Sequence, residues 1–153
     1  MEEDTEITIL GSFPKNNREA VCAGVNRWRG EDYFFLRVFV PSLSSEDLVP
    51  TKEGVNLLHD QFIEFYDGIL KLGEVMGGDQ VVKSIEKDLN QQVRIGYNLY
   101  KDIPLVYIRI FRRYNAGSEF SATKQGISIR SVQYPLLLEA VTKIKDYLDS
   151  LSK

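Results

Sequence analysis

Apolar positions along this chain recur at every second residue, then at every third or fourth, and this change of period happens twice. Ile7 to Leu10 reads as a short opening strand. Val21, Ala23 and Val25 alternate with Cys22, Gly24 and Asn26, as the two faces of a strand do. Arg29-Gly30-Glu31-Asp32 supplies a turn, and Tyr33 to Val40 is a dense aromatic and β-branched strand. A polar loop over 41–50 leads into a last strand from Lys52 to Leu58. From Asp60 the period is helical, carried by Phe62, Phe65, Tyr66, Ile69, Leu70 and Leu72. Gly73 and then Gly77-Gly78 end that helix and form a linker.

The second half copies the first. Val93, Ile95, Tyr97 and Leu99 face one way, and Arg94, Gly96, Asn98 and Tyr100 the other. Asp102-Ile103-Pro104 marks a turn, Leu105 to Tyr114 a long strand, Asn115-Ala116-Gly117 a loop and Lys124 to Arg130 a last strand. Pro135 sits where a helix can start, and Leu138, Val141, Ile144, Lys145 and Leu148 carry it onward. The copy is gap-free. Shifted by 72 positions, as Arg37 is from Arg109, Asn26 falls on Asn98, Phe39 on Phe111, Thr51 on Thr123 and Lys52 on Lys124. Two copies are too few for a solenoid, so a closed pair with two-fold pseudo-symmetry is expected. The expected class is α+β, in two tandem repeats over 5–76 and 79–153. Each would be a curved antiparallel sheet of about four strands with one helix across one face. The uncovered face is where function is sought.

Composition narrows the classes. The chain has 153 residues, 43% of them hydrophobic and 27% charged, as in a soluble globular protein. Nothing approaches the run of about 18 apolar residues that a membrane helix needs. The acidic opening over 1–4 speaks against a signal peptide, so a nuclear or cytoplasmic protein is expected. Cys22 is the one cysteine and His59 the one histidine, which leaves no internal disulfide and little material for a zinc site or a catalytic triad. No cofactor is expected. Acidic residues are plentiful, but no motif pairs them for acid–base catalysis, so an enzyme is not expected. The net charge of −3 counts against nucleic acid only until its distribution is considered. From Gln92 to Arg113, Arg94, Lys101, Arg109, Arg112 and Arg113 face Asp102 alone.

Alternation places the same chemistry on the uncovered face twice: a glycine, an asparagine, then Trp28 or Tyr100, with Arg29 or Lys101 beside it. Arg37 lies between Phe35 and Phe39 on one parity, and Arg109 between Tyr107 and Phe111. Rings interleaved with cations suit single-stranded nucleic acid, because unpaired bases stack on the rings and phosphates meet the cations. Gly24 and Gly96 would let a ligand backbone come close. The opposing reading puts these rings in a core and these arginines in ion pairs. Recurrence at equivalent positions favours the surface.

Several of these stretches resemble the transcriptional coactivator family known as positive cofactor four. Val25-Asn-Arg-Trp-Arg-Gly30 with Phe34-Phe-Leu-Arg-Val-Phe39 is similar to its central strands, and Pro50-Thr-Lys-Glu-Gly-Val-Asn-Leu57 to its loop before the helix. Tyr100-Lys101, Ile108-Arg-Ile-Phe111 and Thr123-Lys-Gln-Gly-Ile-Ser-Ile129 repeat the match. The resemblance implies single-stranded DNA bound on a concave sheet face. It implies stacking at Trp28 and Tyr100, bases beside them at Arg29 and Lys101, strand arginines at Arg37 and Arg109, and loop cations at Lys52 and Lys124. It also implies a partner in the transcription machinery, and a pseudo-dimeric chain that stands in for the family's dimer. Whether that body pairs again is open. The second loop cation of the family is Glu53 in one copy and Gln125 in the other. The Whirly and Pur families share the sheet-plus-helix logic, and a Pur-like regulator of single-stranded DNA or RNA is the alternative.

The expected nucleic-acid residues are Arg27, Trp28, Arg29, Arg37, Phe39 and Lys52 in the first copy. In the second they are Arg94, Asn98, Tyr100, Lys101, Arg109, Phe111, Arg112 and Lys124. A protein-interaction scaffold that kept the fold and lost the ligand is the competing function.

Overall fold

A computed structural model of the chain describes residues 5–44, 47–75 and 77–151. The acidic opening over 1–4, two positions of the loop over 41–50, and the expected ends of the two halves at 76 and 153 lie outside them. The described chain is α+β. Strands β1 (Thr5–Pro14), β2 (Ala20–Trp28), β3 (Glu31–Pro41) and β4 (Leu48–Leu57) precede helix α1 (His59–Val75). Strands β5 (Gln80–Asp88), β6 (Gln91–Tyr100), β7 (Ile103–Arg112) and β8 (Ser121–Arg130) lead through a 3₁₀ turn to helix α2 (Tyr134–Leu151). The strands form two four-stranded antiparallel sheets in sequence order, β1-β2-β3-β4 and β5-β6-β7-β8, as two tandem repeats would. No helix among the described residues is long and apolar enough to cross a membrane.

Local sequence accounts for the element ends. The β2–β3 and β6–β7 hairpins turn on consecutive positive φ values, Arg29 at 53° with Gly30 at 80°, and Lys101 at 50° with Asp102 at 67°. That backbone matches the right-handed twist of the strands it joins. Gln61 reaches back to accept from the Leu58 amide at 3.0 Å, the backward half of a capping box at the start of α1. Pro135 is the second residue of α2, where its missing N–H costs little. Strand β5 carries no clear alternation and only Ile85 of it is buried, so periodicity alone does not reveal it.

The expected arrangement, each helix on its own sheet, is incomplete. α1 packs chiefly on β5, with smaller contacts to β6 and to β3 and β4 of its own sheet, while α2 packs on β1 and β2, so α2 crosses to the other half and α1 bridges the two. The reason is partly covalent: Gly77 and Gly78 turn the chain straight from the end of α1 into β5. One apolar core runs through both halves, joining Val21, Phe34 and Leu36 to Phe65, Ile69, Ile95, Ile108 and Ile144. Tyr97 of β6 donates to the Leu72 carbonyl of α1 at 2.5 Å. Tyr134 of α2 donates to Ile69 at 2.7 Å. The first of these meets a carbonyl in the last turn of α1 that has no partner within the helix.

Candidate nucleic-acid interface

The hairpin turns put a ring and a cation together twice. Trp28 ends β2 and is 42% exposed, and Tyr100 ends β6 and is 58% exposed. The Arg29 guanidinium lies 4.7 Å from the Trp28 ring centroid, and the Lys101 ammonium 5.4 Å from that of Tyr100. Each pair projects from a turn in which a residue with a side chain holds left-handed backbone, a state that costs roughly 1–2 kcal/mol.

Behind the tips, a second duplicated device organises each sheet. Arg37 donates through Nη1 to the Thr51 carbonyl at 3.0 Å and through Nη2 to Asn56 Oδ1 at 3.0 Å. Arg109 repeats this with the Thr123 carbonyl at 3.0 Å and Ser128 Oγ at 3.2 Å. The Thr51 and Thr123 hydroxyls donate back to the Val38 and Ile110 carbonyls at 2.8 and 2.9 Å, across a bulge in each β3–β4 type pair. The two arginines thereby hold the kinked segments that present Lys52 and Lys124. Both are half-buried, and burial pushes the Arg37 guanidinium below its usual pKa. Among the described residues no carboxylate pairs with Arg37, Arg94 or Arg109.

The two sheets meet in a cationic seam. A groove of about 560 Å³ is lined by Lys15, Thr51, Lys52 and Glu53 of the first half and by Arg109, Lys124, Gly126 and Ser128 of the second. Glu53 is its single lining carboxylate, although Lys15 also pairs with Glu19 at 3.4 Å. Lys15 was not foreseen, and neither was its counterpart Lys87, which donates to the Asn56 carbonyl at 2.6 Å. The two lysines stand at the repeat spacing but differ in partner: Lys87 donates across to β4, whereas Lys15 pairs with Glu19 and lines the seam beside Ser128 of β8. Burial, with Arg37 and Arg112 nearby, lowers the Lys87 pKa.

A hollow of about 420 Å³ on the first sheet adjoins the seam through Thr51 and Lys52. A smaller cavity lined by Trp28 and Tyr33 shares Asn26 and Asn56 with the hollow. These three depressions form one track from the Trp28 tip to Lys124. On the second sheet Arg94 lies over the Phe111 ring at 4.4 Å and the Phe120 ring at 5.4 Å, and Arg113 over Phe120 at 4.5 Å. Arg94 also stands directly across from Arg109 in the β6–β7 register. Two cations facing each other destabilise a sheet unless an anion meets them.

Some expected positions fall elsewhere. Arg27 is on the helix side of β2, in an ion pair with Asp32 at 2.7 Å, and is not part of the uncovered face. Phe39 is on that face but only 3% exposed, packed with Phe35 and Cys22 in a small second core. Arg112 sits at the far end of β7, hydrogen-bonded to Gln125 and near Lys87. Gly24 and Gly96 do not admit a ligand backbone. A Cβ on Gly24 would meet the Thr8 carbonyl at 2.1 Å and the Phe35 ring at 2.9 Å, and one on Gly96 the Gln80 carbonyl at 2.3 Å and the Tyr107 hydroxyl at 2.8 Å. These glycines exist so that a neighbouring strand and a ring can lie close. Beside them, the Oδ1 atoms of Asn26 and Asn98 are shut from solvent without a hydrogen-bond partner. Among the described residues no three His, Cys, Asp or Glu side chains gather as a metal site would need.

A scan against protein-family models finds no match for the chain, and a search of curated proteins finds none either.

Proposed function

We propose that this chain binds single-stranded nucleic acid, mainly DNA, as a non-enzymatic module of transcription regulation or genome maintenance. The observation that carries the reading is the run of depressions from the exposed Trp28 ring, past Arg37, into a seam lined by Lys15, Lys52, Arg109 and Lys124 with Glu53 as its one lining carboxylate. Bases stack on Trp28 and Tyr100, and phosphates meet the seam cations. Overall acidity does not oppose this, because no acidic side chain of either helix lines the track. Helices that pack across the halves and a seam lined from both sheets support an intramolecular counterpart of a dimer. A scaffold is the second reading. It is favoured by Glu53 in the seam and by arginines that already lie over their own rings at Phe111 and Phe120.

Trp28 is the only tryptophan, so its fluorescence reports directly on the track. Titration with a single-stranded oligonucleotide should quench it. If the four seam cations each hold a phosphate, log affinity should fall against log salt with a slope of about 3, at about 0.7 per phosphate. An RNA oligomer of the same sequence in parallel distinguishes a Pur-like regulator of both acids from a DNA-preferring one. No quenching and no binding at roughly tens of micromolar in low salt would favour the scaffold.

A further inference from the structure

The uncovered faces of the two sheets are built from equivalent residues, yet a hollow opens on the first where an arginine lies over the rings of the second. Phe35 and Phe39 correspond to Tyr107 and Phe111, Asn26 to Asn98, and Arg37 to Arg109. The position facing Arg37 across β2–β3 is Cys22, whereas the position facing Arg109 across β6–β7 is Arg94. In the second sheet the Arg94 guanidinium lies over the Phe111 ring and fills the concavity. In the first, Cys22 is short, 1% exposed and packed with Phe35 and Phe39, so no long side chain from that position lies over the rings. The result is a cavity of about 420 Å³, within the range of about 300–1,000 Å³ typical of small-ligand sites.

Its walls are specific. Phe35 and Phe39 are stacked at 5.9 Å with ring planes 26° apart, and Ile7 and Pro50 complete the apolar lining. Asn26 and Asn56 also line it; Asn56 Oδ1 already accepts from Arg37 and the Asn26 Oδ1 is shut from solvent, so their amide N–H₂ groups are what they can turn to a ligand. Arg37 and Lys52 put positive charge in the same lining with no carboxylate paired to either among the described residues. An apolar, ring-walled space with amides and an adjoining cation pair matches a nucleobase attached to a phosphate. Asparagine amides pair with base edges, and guanidinium and ammonium groups hold phosphates.

We propose that this hollow takes one base of the bound strand, with the phosphate of that nucleotide at Arg37 and Lys52. This rests on the nucleic-acid reading and adds to it a division of labour: the first repeat receives a base inside the sheet concavity, while the second repeat presents a cationic surface. A bound strand would then be fixed in register at one nucleotide rather than sliding freely.

The test is NMR of the full chain, following the ring resonances of Phe35 and Phe39, with two ligands of roughly eight nucleotides, a length within one single-strand site. One is single-stranded DNA and the other is the same backbone without bases. The expected result is that the DNA oligomer shifts the Phe35 and Phe39 rings at saturation. The abasic backbone should leave them unmoved and bind at least about a hundredfold more weakly, because it lacks the bases stacked at Trp28 and Tyr100 as well as the one in the hollow, at about 1–3 kcal/mol each. If the DNA oligomer binds, and moves Trp28, while both phenylalanine rings stay unmoved, the base pocket is overturned and the nucleic-acid reading survives. If neither ligand binds, the nucleic-acid reading fails and the pocket proposal falls with it.

Discussion

The two sheets share strand order, a bulge at the same place and the same arginine clamp, yet one uncovered face is hollow and apolar and the other is filled and cationic. On the first, Phe35 and Phe39 pack with Cys22 into a small core of their own, and Arg37 is the one strand arginine. On the second, Arg94, Arg109 and Arg113 share the surface with Tyr107, Phe111 and Phe120. One substitution between the copies, Cys22 against Arg94, accounts for most of this. A long cation on a strand facing another cation must find a ring or an anion, and here it takes rings that in the other copy are packed by a thiol. Duplication thus preserved the scaffold devices and let the faces diverge, because the clamp holds backbone whereas residue 22 or 94 only fills space.

The largest effect should come from testing whether the first face is truly a second core. Phe39→Ala should cost about 3–5 kcal/mol in chemical denaturation, the range for a buried phenylalanine, whereas Phe111→Ala, at the equivalent but only partly buried position of the other sheet, should cost less than roughly half as much. Equal losses would erase the distinction between the faces. A smaller and sharper test uses the divergent pair itself. Arg94→Ala should weaken oligonucleotide binding about tenfold, as one charged hydrogen bond does, and reduce the salt slope by about 0.7. Cys22→Ala should change neither beyond about twofold. The reverse ranking in anisotropy titrations would shift the phosphate path to the first sheet.

The smallest effect concerns the helix side of the first tip. Arg27 hydrogen bonds hold the Asp32 carboxyl below its ordinary pKa. A lowered folded value means that the pair stabilises at pH above the unfolded aspartate value, and that this is lost as pH falls through the lowered one. Acid unfolding of the Asp32→Asn variant should therefore lack a small component present in the parent. The second repeat has Leu99 and Pro104 at these positions and should show no such component. Identical acid titration curves for parent and variant would remove the pair from the account.

Much of this was legible in the residues. The period of two put Val21, Ala23 and Val25 on one side of β2 and Asn26 and Trp28 on the other, and the same parity holds for β6. The repeat located Arg37 and Arg109 as equivalent, and their hydrogen bonds are equivalent. The failures have common causes. Arg27 was grouped with Trp28 because it is adjacent in sequence, but adjacent strand residues point to opposite faces. Gly24 and Gly96 were read as openings toward a ligand, while the close carbonyl and ring that require them come from other strands. Lys15 and Lys87 escaped notice because hairpin-tip lysines have no periodic signature, and their meaning lies in the opposite half.

The sequence by itself determined the two-fold repetition, the order of strands and helix in the first copy and all but the opening strand of the second, and which face of each central strand is apolar. These follow from local alternation and turn chemistry, which act between residues a few positions apart. Only the tertiary structure decided that the helices pack across the halves, that Lys52 and Lys124 share one seam, and that one uncovered face is hollow. Those outcomes depend on how a continuous core is closed and on whether a single side chain fills a space, and neither quantity is written in the spacing of residues along the chain.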